Sequence, residues 1–303
     1  MAVIKVENLT KDYGDRRGNF NVSFEVNQGE VFGFVGPNGS GKTTTIRHIL
    51  GFIKPDSGAT YVNGTNTWGN SHITNRDIGY IPGEINFPEG MKGTDLLKWL
   101  GHLSGVNNID KATEVLELLQ HKNVNSDMKR MSKGMKQKIG VACAFLHDPK
   151  ILILDEPSSG LDPLMQDAFT GLLKREKAAG KTILLSSHIF SEVEKTCDRV
   201  AIIRQGEIVT TFHMDDIRRP KFKTFKIKFS KAGESRRIAK EKLNFAEINH
   251  EKNRVKVTVD DKDIKGLMAI LLNYEIEYVS EMKLTLEGHF MKFYSTNNQG
   301  GIR

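Results

Sequence analysis

The chain has 303 residues, 38% of them hydrophobic and 27% charged, with a formal net charge of +7. That length predicts about two domains at roughly 100–200 residues each, and the composition excludes a disordered chain and a small disulfide-stapled one. No apolar run approaches the ~20 residues of a membrane-spanning helix, and the N-terminal MAVIKVENLT lacks the basic start and apolar core of a secretory leader.

Residues 3–6 and 20–26 read as short strands, with Val22, Phe24 and Val26 alternating. Val31 to Val35 is nearly continuous apolar sequence, as expected of a strand buried on both faces. GPNGSGKTT, residues 36–44, follows and fits the pattern G-x-x-x-x-G-K-[ST]. Gly36, Gly39 and Gly41 let the backbone turn sharply and bring N–H groups against phosphate oxygens. Pro37, Asn38, Ser40 and Thr44 complete the loop. Lys42 supplies a point charge for β- and γ-phosphates, and Thr43 offers a hydroxyl to Mg²⁺. A helix predicted from Lys42 to about Leu50 points its positive end at the same place.

Residues 59–63 and 78–81 read as further strands. A helical insertion is expected over 86–147. In it Thr94 is the predicted N-cap of a helix with Leu96, Trp99, Leu100 and Leu103 at helical spacing. Ala112, Val115, Leu116 and Leu119 mark a second amphipathic helix, and a third spans Lys133 to His147.

ILILDEP, residues 151–157, is an apolar strand ending in Asp155, placed to hold Mg²⁺ through its water shell. Glu156 comes next, where a carboxylate can polarise an attacking water. Asp162 and Pro163 read as N-cap and first residue of a helix that stops at Gly180. TILLSS, 182–187, is a strand, and 189–197 a helix. The repetition implies an α/β fold with a largely parallel sheet between helices. Cys143 and Cys197, 54 residues apart, are expected to be reduced thiols.

Arg218-Arg219-Pro220 reads as a linker between a first domain, 1–217, and a small α+β domain, 221–303. There Phe225, Ile227 and Phe229 alternate, as do Val255, Val257 and Val259, and helical patterns lie between these strands and near 263–272. Residues 221–303 hold 17 Lys+Arg against 11 Asp+Glu, and the remainder 27 against 26. The basic charges are scattered among acids, which favours a solvated surface over a nucleic-acid or anionic-membrane interface.

The remaining segments carry a family resemblance. MSKGMKQK (131–138) precedes the acidic strand, SSGLDP (158–163) follows it, and His188 ends the next strand in SSHIF. Together with the phosphate loop, these resemble the ATP-binding cassette (ABC) ATPases of transporters, over roughly residues 1–215. The resemblance implies a P-loop NTPase (RecA-like) cassette with an antiparallel β subdomain and a helical subdomain at about 86–147. It implies ATP and Mg²⁺ as ligands, and hydrolysis of ATP and water to ADP and phosphate. Tyr13 would stack on adenine. Ser132 and Gly134 would touch the γ-phosphate bound to a second copy, and Asp162 would bridge the copies. His188 would hold the γ-phosphate and orient Glu156. The partners implied are a second cassette, as a homodimer, and a separate membrane permease. The location implied is the cytoplasm, peripheral on the inner face of the membrane.

Two positions depart from the family pattern. Gly83 stands where the family usually has a glutamine reaching Mg²⁺ and water, with Glu84 next as a substitute ligand. Lys133 and Met135 replace a glycine and a glutamine of the signature. Such substituted signatures resemble bacterial exporters. The C-terminal KLTLEGHFMKFYS resembles the close of an accessory domain on drug and antibiotic exporter ATPases, through Leu286, Glu287 and Phe290. It also reads as an amphipathic helix with Leu286, Phe290 and Phe293 on one face. A soluble ABC-type ATPase acting on nucleic acid or ribosomes is the alternative; no nucleic-acid partner is expected, since the chain has one phosphate loop and no heptad run.

Overall fold

The computed structural model describes residues 1–88, 90–106 and 108–295. Two compact units divide after Met214.

The first unit begins with strands β1 (Ala2–Asp12), β2 (Gly18–Asn27) and β3 (Val31–Val35), helix α1 (Lys42–Ile49), strands β4 (Ser57–Val62) and β5 (Thr65–Asn66), the short helix α2 (Ser71–Thr74) and strand β6 (Ile78–Ile81). Helices α3 (Gly93–Leu103), α4 (Asp110–Leu118) and α5 (Lys133–Phe145) follow. The unit closes with β7 (Ile151–Asp155), α6 (Pro163–Ala178), β8 (Thr182–Ser187), α7 (Phe190–Thr196), β9 (Arg199–Arg204) and β10 (Glu207–His213).

These strands form two sheets. One is antiparallel, in the order β2-β1-β4-β5; the other has six strands, in the order β10-β9-β3-β8-β7-β6. In the second, β6, β7, β8, β3 and β9 run parallel and only β10 is antiparallel. The core lies between the sheets. Ile4, Val6, Val22, Phe24 and Val26 from the first meet Phe32, Phe34, Ile153, Leu184 and Ile203 from the second, with Ile46 and Ile49 of α1. The Phe24 and Phe32 rings stack 5.2 Å apart. On the other face of β3, a Cβ at Gly33 would meet the Cys197 sulfur and Val193 of α7 at 3.0 Å, so helix and strand pack at glycine distance. Every residue of β3, β7 and β8 is buried, which is why these strands read as continuous apolar runs. Cys143 and Cys197 are free thiols, and burial pushes the Cys143 thiol up to about 12.

The helical subdomain, α3–α5, differs from the sequence expectation in two places. Thr94 is not the cap of α3. Its hydroxyl donates to Asn125 Oδ1, and the helix already begins at Gly93, with Lys92 in the cap position. Of the expected face of α3, Leu96 is buried and Leu100 half-buried, but Trp99 and Leu103 are not. Gly93, Leu96, Leu97 and Gly101 are buried, whereas Trp99 and Leu103 are 52% and 63% exposed. Thr94, Asp95, Lys98 and His102 form the polar side of this helix, and the apolar residues cover a wide arc opposite, so periodicity sets the apolar side but not which part of it is buried. Packing chooses the side where glycine admits close approach: a Cβ at Gly93 would stand 2.7 Å from Val124 O and 3.0 Å from Ile139. On α4, by contrast, Ala112, Val115 and Leu116 are all buried, as is Leu119 just beyond it. Strands β9 and β10 lie outside the elements expected from the sequence.

The second unit holds α8 (Asp215–Arg218), β11 (Phe222–Phe229), α9 (Glu234–Ile238), β12 (Phe245–Asn249), β13 (Arg254–Asp260), α10 (Ile264–Leu271), β14 (Ile276–Met282) and α11 (Leu286–Ser295). Its antiparallel sheet has the order β12-β13-β11-β14, a split βαβ arrangement. Phe225, Ile227 and Phe229 of β11 and Val255, Val257 and Val259 of β13 pack with Ile238 of α9 and Leu267 and Leu271 of α10. The division falls before Arg218-Arg219-Pro220: Met214 is fully buried and its N–H donates to Asp198 O of the first unit, while Arg218 closes α8. Leu286 and Phe290 of α11 are buried and Glu287 is exposed. The Phe293 side chain lies outside the described residues.

Candidate active site

The parallel strands deliver several loops to one edge. Along β3-β8-β7-β6, Val35 is level with Ser187, Asp155 with Ser186, and Ile81 with Leu154. All four run the same way, so the glycine loop, His188, Asp155-Glu156 and Gly83-Glu84 emerge side by side. Ligand sites of open α/β sheets form at this edge.

The glycine loop is held from both sides. A Cβ at Gly36 would stand 2.4 Å from Ile203 O and 2.6 Å from Ser40 Oγ, so only glycine fits. Gly39 and Gly41 have φ of +78° and +107°, which glycine adopts without strain. Asn19, fully buried on β2, donates to Thr45 Oγ1 at 2.5 Å and to Gly41 O at 3.3 Å. Lys42 is buried; its ammonium donates to Gly36 O at 2.7 Å and Pro37 O at 3.2 Å, and lies 3.4 Å from Glu156 Oε1. Pro37, Asn38 and Gly39 are exposed, Ser40 is buried, and Thr43 and Thr44 are half-buried.

The acidic side meets this loop directly. Thr43 Oγ1 donates to Asp155 Oδ2 at 2.7 Å, and Ser186 Oγ donates to Asp155 Oδ1 at 2.5 Å. Asp155 is fully buried. Glu156 adopts a left-handed φ of +51°, a conformation unusual for a non-glycine residue and concentrated at functional sites. Its N–H donates to Ser186 O, and its Oε2 lies 2.5 Å from His188 Nδ1. A Cβ at Gly83 would stand 3.2 Å from Asp155 Oδ2, so position 83 is the one aimed at this carboxylate. Glu84 is exposed and borders the same cleft.

That cleft, about 530 Å³, is lined by Asn38, Thr43, Arg47, Tyr80, Pro82, Gly83, Glu84, Lys133, Glu156, Ser159 and His188. Burial, with a smaller push from Asp155, raises the Tyr80 phenol to about 12 and keeps it neutral. Among the described residues, no cluster of three His, Cys, Asp or Glu side chains could hold a metal. The Thr43 hydroxyl and Asp155 carboxylate, two hard oxygens in contact, suit a Mg²⁺ that takes its other ligands from phosphate and water.

Tyr13, Ser132, Gly134 and Asp162 neither line the cleft of their own chain nor belong to the phosphate loop and acidic pair beside it. Tyr13 stands in the β1–β2 turn, 53% exposed, with the Lys11 ammonium 5.8 Å from its ring centre. Ser132 is the exposed N-cap of α5, accepting from Met135 N. A Cβ at Gly134 would stand 2.7 Å from Gly160 O, so this glycine seats α5 on the SSGL turn. Asp162 caps α6, accepting from Met165 N at 3.0 Å. Asn19 and Ser186 support the site but carry no local motif. Lys133 reaches the cleft along Gly160, and its only signal was the departure from the signature.

An antiparallel sheet against a mostly parallel one, a helical subdomain between β6 and β7, and a phosphate loop facing an Asp-Glu pair define a P-loop ATPase of the ABC cassette type. A family model described as "ABC transporter" matches residues 20–159. The bacitracin transport ATP-binding protein BcrA of Bacillus licheniformis is 38% identical over 221 residues, 72% of each chain. The uncharacterized ABC transporter ATP-binding protein YhcH of Bacillus subtilis is 32% identical over 299 residues, 96% of this chain and 95% of the relative. A solved ATP-binding subunit of an ABC transporter is 34% identical, covering 72% of this chain and 92% of that one, with a TM-score of 0.65. The chain belongs to the ABC transporter ATP-binding proteins: it is an ATP-hydrolysing, nucleotide-binding transporter subunit.

Proposed function

We propose that the chain powers an exporter whose permease is a separate polypeptide, and that two copies close face to face around ATP. The observation that carries the reading is the meeting of Lys42, Thr43, Asp155, Glu156 and His188 at one sheet edge, through the Thr43–Asp155, Lys42–Glu156 and His188–Glu156 contacts. Similarity to BcrA, named for bacitracin transport, supports a transport role; the outward direction and the identity of the partners are our reading. So is the peripheral location on the inner face of the membrane. No helix among the described residues is long and apolar enough to cross a membrane, and Trp99 and Leu103 offer exposed apolar surface on the helical subdomain.

In this reading Lys42 and the N–H groups of residues 39–43 hold the β- and γ-phosphates. Thr43 and Asp155 hold Mg²⁺, which supplies charge neutralisation to the phosphates. Glu156 orients a water toward the γ-phosphorus and draws its proton, and His188 fixes the Glu156 carboxylate. Tyr13 offers its exposed ring to adenine. Ser132, Gly134 and Asp162, all outside their own cleft, serve the partner copy. Closure is then a population shift driven by tighter ATP binding to the closed pair. Glu84 stands in for the missing glutamine. The unit from 215 onward is an accessory domain following the cassette.

The test is recovery of partners on tagged Glu156→Gln protein from detergent-solubilised membranes with ATP, identified by mass spectrometry. A multi-spanning membrane protein is the expected partner. Ribosomal proteins or nucleic acid without a membrane partner would overturn the proposal.

A further inference from the structure

Glu192 lies in α7, outside the cleft, and is buried, with 6% of its surface exposed. Burial pushes its carboxyl up from the usual range, against the hydrogen bonds from Ser187 and Ser158. A buried carboxyl is costly unless it is fully hydrogen-bonded, so its partners are informative. Oε1 accepts from Ser158 Oγ at 2.9 Å, and Oε2 accepts from Ser187 Oγ at 2.7 Å. Ser158 opens the turn that leads to Asp162, and Ser187 immediately precedes His188. Ser187 Oγ in turn accepts from Ile189 N at 3.0 Å, so hydrogen bonds clasp His188 on both sides in the chain.

The clasp extends further. Gln137, buried on α5, donates from Nε2 to Pro157 O at 2.7 Å, between Glu156 and Ser158. A continuous path therefore runs from α5, whose N-terminus carries Ser132, through the buried Pro157, Ser158, Glu192 and Ser187 to His188 and Glu156. Each link is a hydrogen bond or a neighbouring residue.

We infer that Glu192 is a positioning residue for hydrolysis: it ties the turn carrying Asp162 to the strand end carrying His188, and so sets the His188–Glu156 contact. The inference rests on the proposed roles of His188 and Glu156. Misplacement of a catalytic group by about 1 Å can cost up to ~10²-fold in rate while leaving ground-state binding intact. A residue that only held the fold together would lower binding and turnover in parallel.

The experiment compares wild type with Glu192→Ala, Glu192→Gln, Ser158→Ala and Ser187→Ala, measuring kcat and KM for ATP and the affinity of a fluorescent ATP analogue. Glu192→Ala is expected to lower kcat about 10-fold or more, with KM and analogue affinity within about twofold of wild type. Glu192→Gln, which keeps one acceptor oxygen, recovers part of the rate. The serine variants each lower kcat but add little in the Glu192→Ala background, because they act through the same carboxylate. Unchanged kcat in Glu192→Ala and Ser187→Ala overturns the inference, and so does a parallel fall of affinity and kcat. If Glu192→Ala does not fold, Glu192→Gln and Ser187→Ala decide the matter by the same split. A wild-type protein that neither binds nor hydrolyses ATP removes the underlying functional reading instead.

Discussion

His188 Nδ1 and Glu156 Oε2 are 2.5 Å apart, although 32 residues separate them in the chain. The contact exists because β7 and β8 are parallel neighbours whose ends are level, Asp155 opposite Ser186. It gives the carboxylate a fixed direction, and Lys42 lies 3.4 Å from its other oxygen. Glu156→Gln is expected to retain ATP binding and to lose about 10²-fold or more in turnover, since an amide cannot draw a proton from water. Steady-state ATPase rates beside a nucleotide titration check this, and turnover near wild type removes Glu156 from the role.

Lys42 both fastens the loop, through Gly36 O and Pro37 O, and carries its buried positive charge. Lys42→Ala removes both. Affinity for a fluorescent ATP analogue should fall by about 10-fold or more, the loss expected of one strong charge-assisted contact. Retained affinity would mean that backbone N–H groups alone hold the phosphates.

In the proposed reading, Glu84 takes over work that one glutamine at position 83 does in the family pattern. Position 83 points at Asp155 but has no side chain; Glu84 has a carboxylate but sits at the cleft border. Glu84→Ala should raise the Mg²⁺ concentration needed for half-maximal turnover by roughly severalfold, the effect of losing one outer oxygen ligand. An unchanged Mg²⁺ titration sinks the substitute-ligand role.

Stability should depend on an ion network far from the cleft. Glu176 of α6 is 2% exposed and lies 2.6 Å from Lys181 and 3.1 Å from Lys111 of α4. Burial alone would raise its carboxyl, but Lys181 and then Lys111 outweigh that and hold it below the usual carboxylate range. A depressed folded-state value stabilises the protein above the unfolded value, and this contribution is lost as pH falls through the folded one. Glu176→Gln is expected to cost about 1–3 kcal/mol at neutral pH: Lys181 keeps its pairing with Asp148, but the buried carboxylate it shares with Lys111 is gone. The loss should shrink on acidification below the usual glutamate range. Urea denaturation at neutral pH and at about pH 3 checks both statements; equal losses at the two pH values refute the electrostatic account.

Much of this protein follows from local sequence alone. The glycine loop, the strand ending in Asp155, the Asp162 cap and the apolar runs of β3, β7 and β8 are written in consecutive residues, because backbone turns, caps and full burial impose short-range requirements on residue type. The split βαβ unit was legible through β11, β13, the helical pattern between them and the helix between β13 and β14, but not through its edge strands. The edge strand β14 is nearly all exposed, and β12 alternates only partly buried and exposed positions, so neither has a buried face to mark it. Tertiary structure decided the rest. Which part of the apolar arc of α3 is buried depended on glycine contacts with Val124 and Ile139. That Ser186 braces Asp155, that Glu192 joins Ser158 to Ser187, and that position 83 faces Asp155 depend on strand order and register. Those are long-range pairings, set when whole strands align, and no local pattern of residues encodes them.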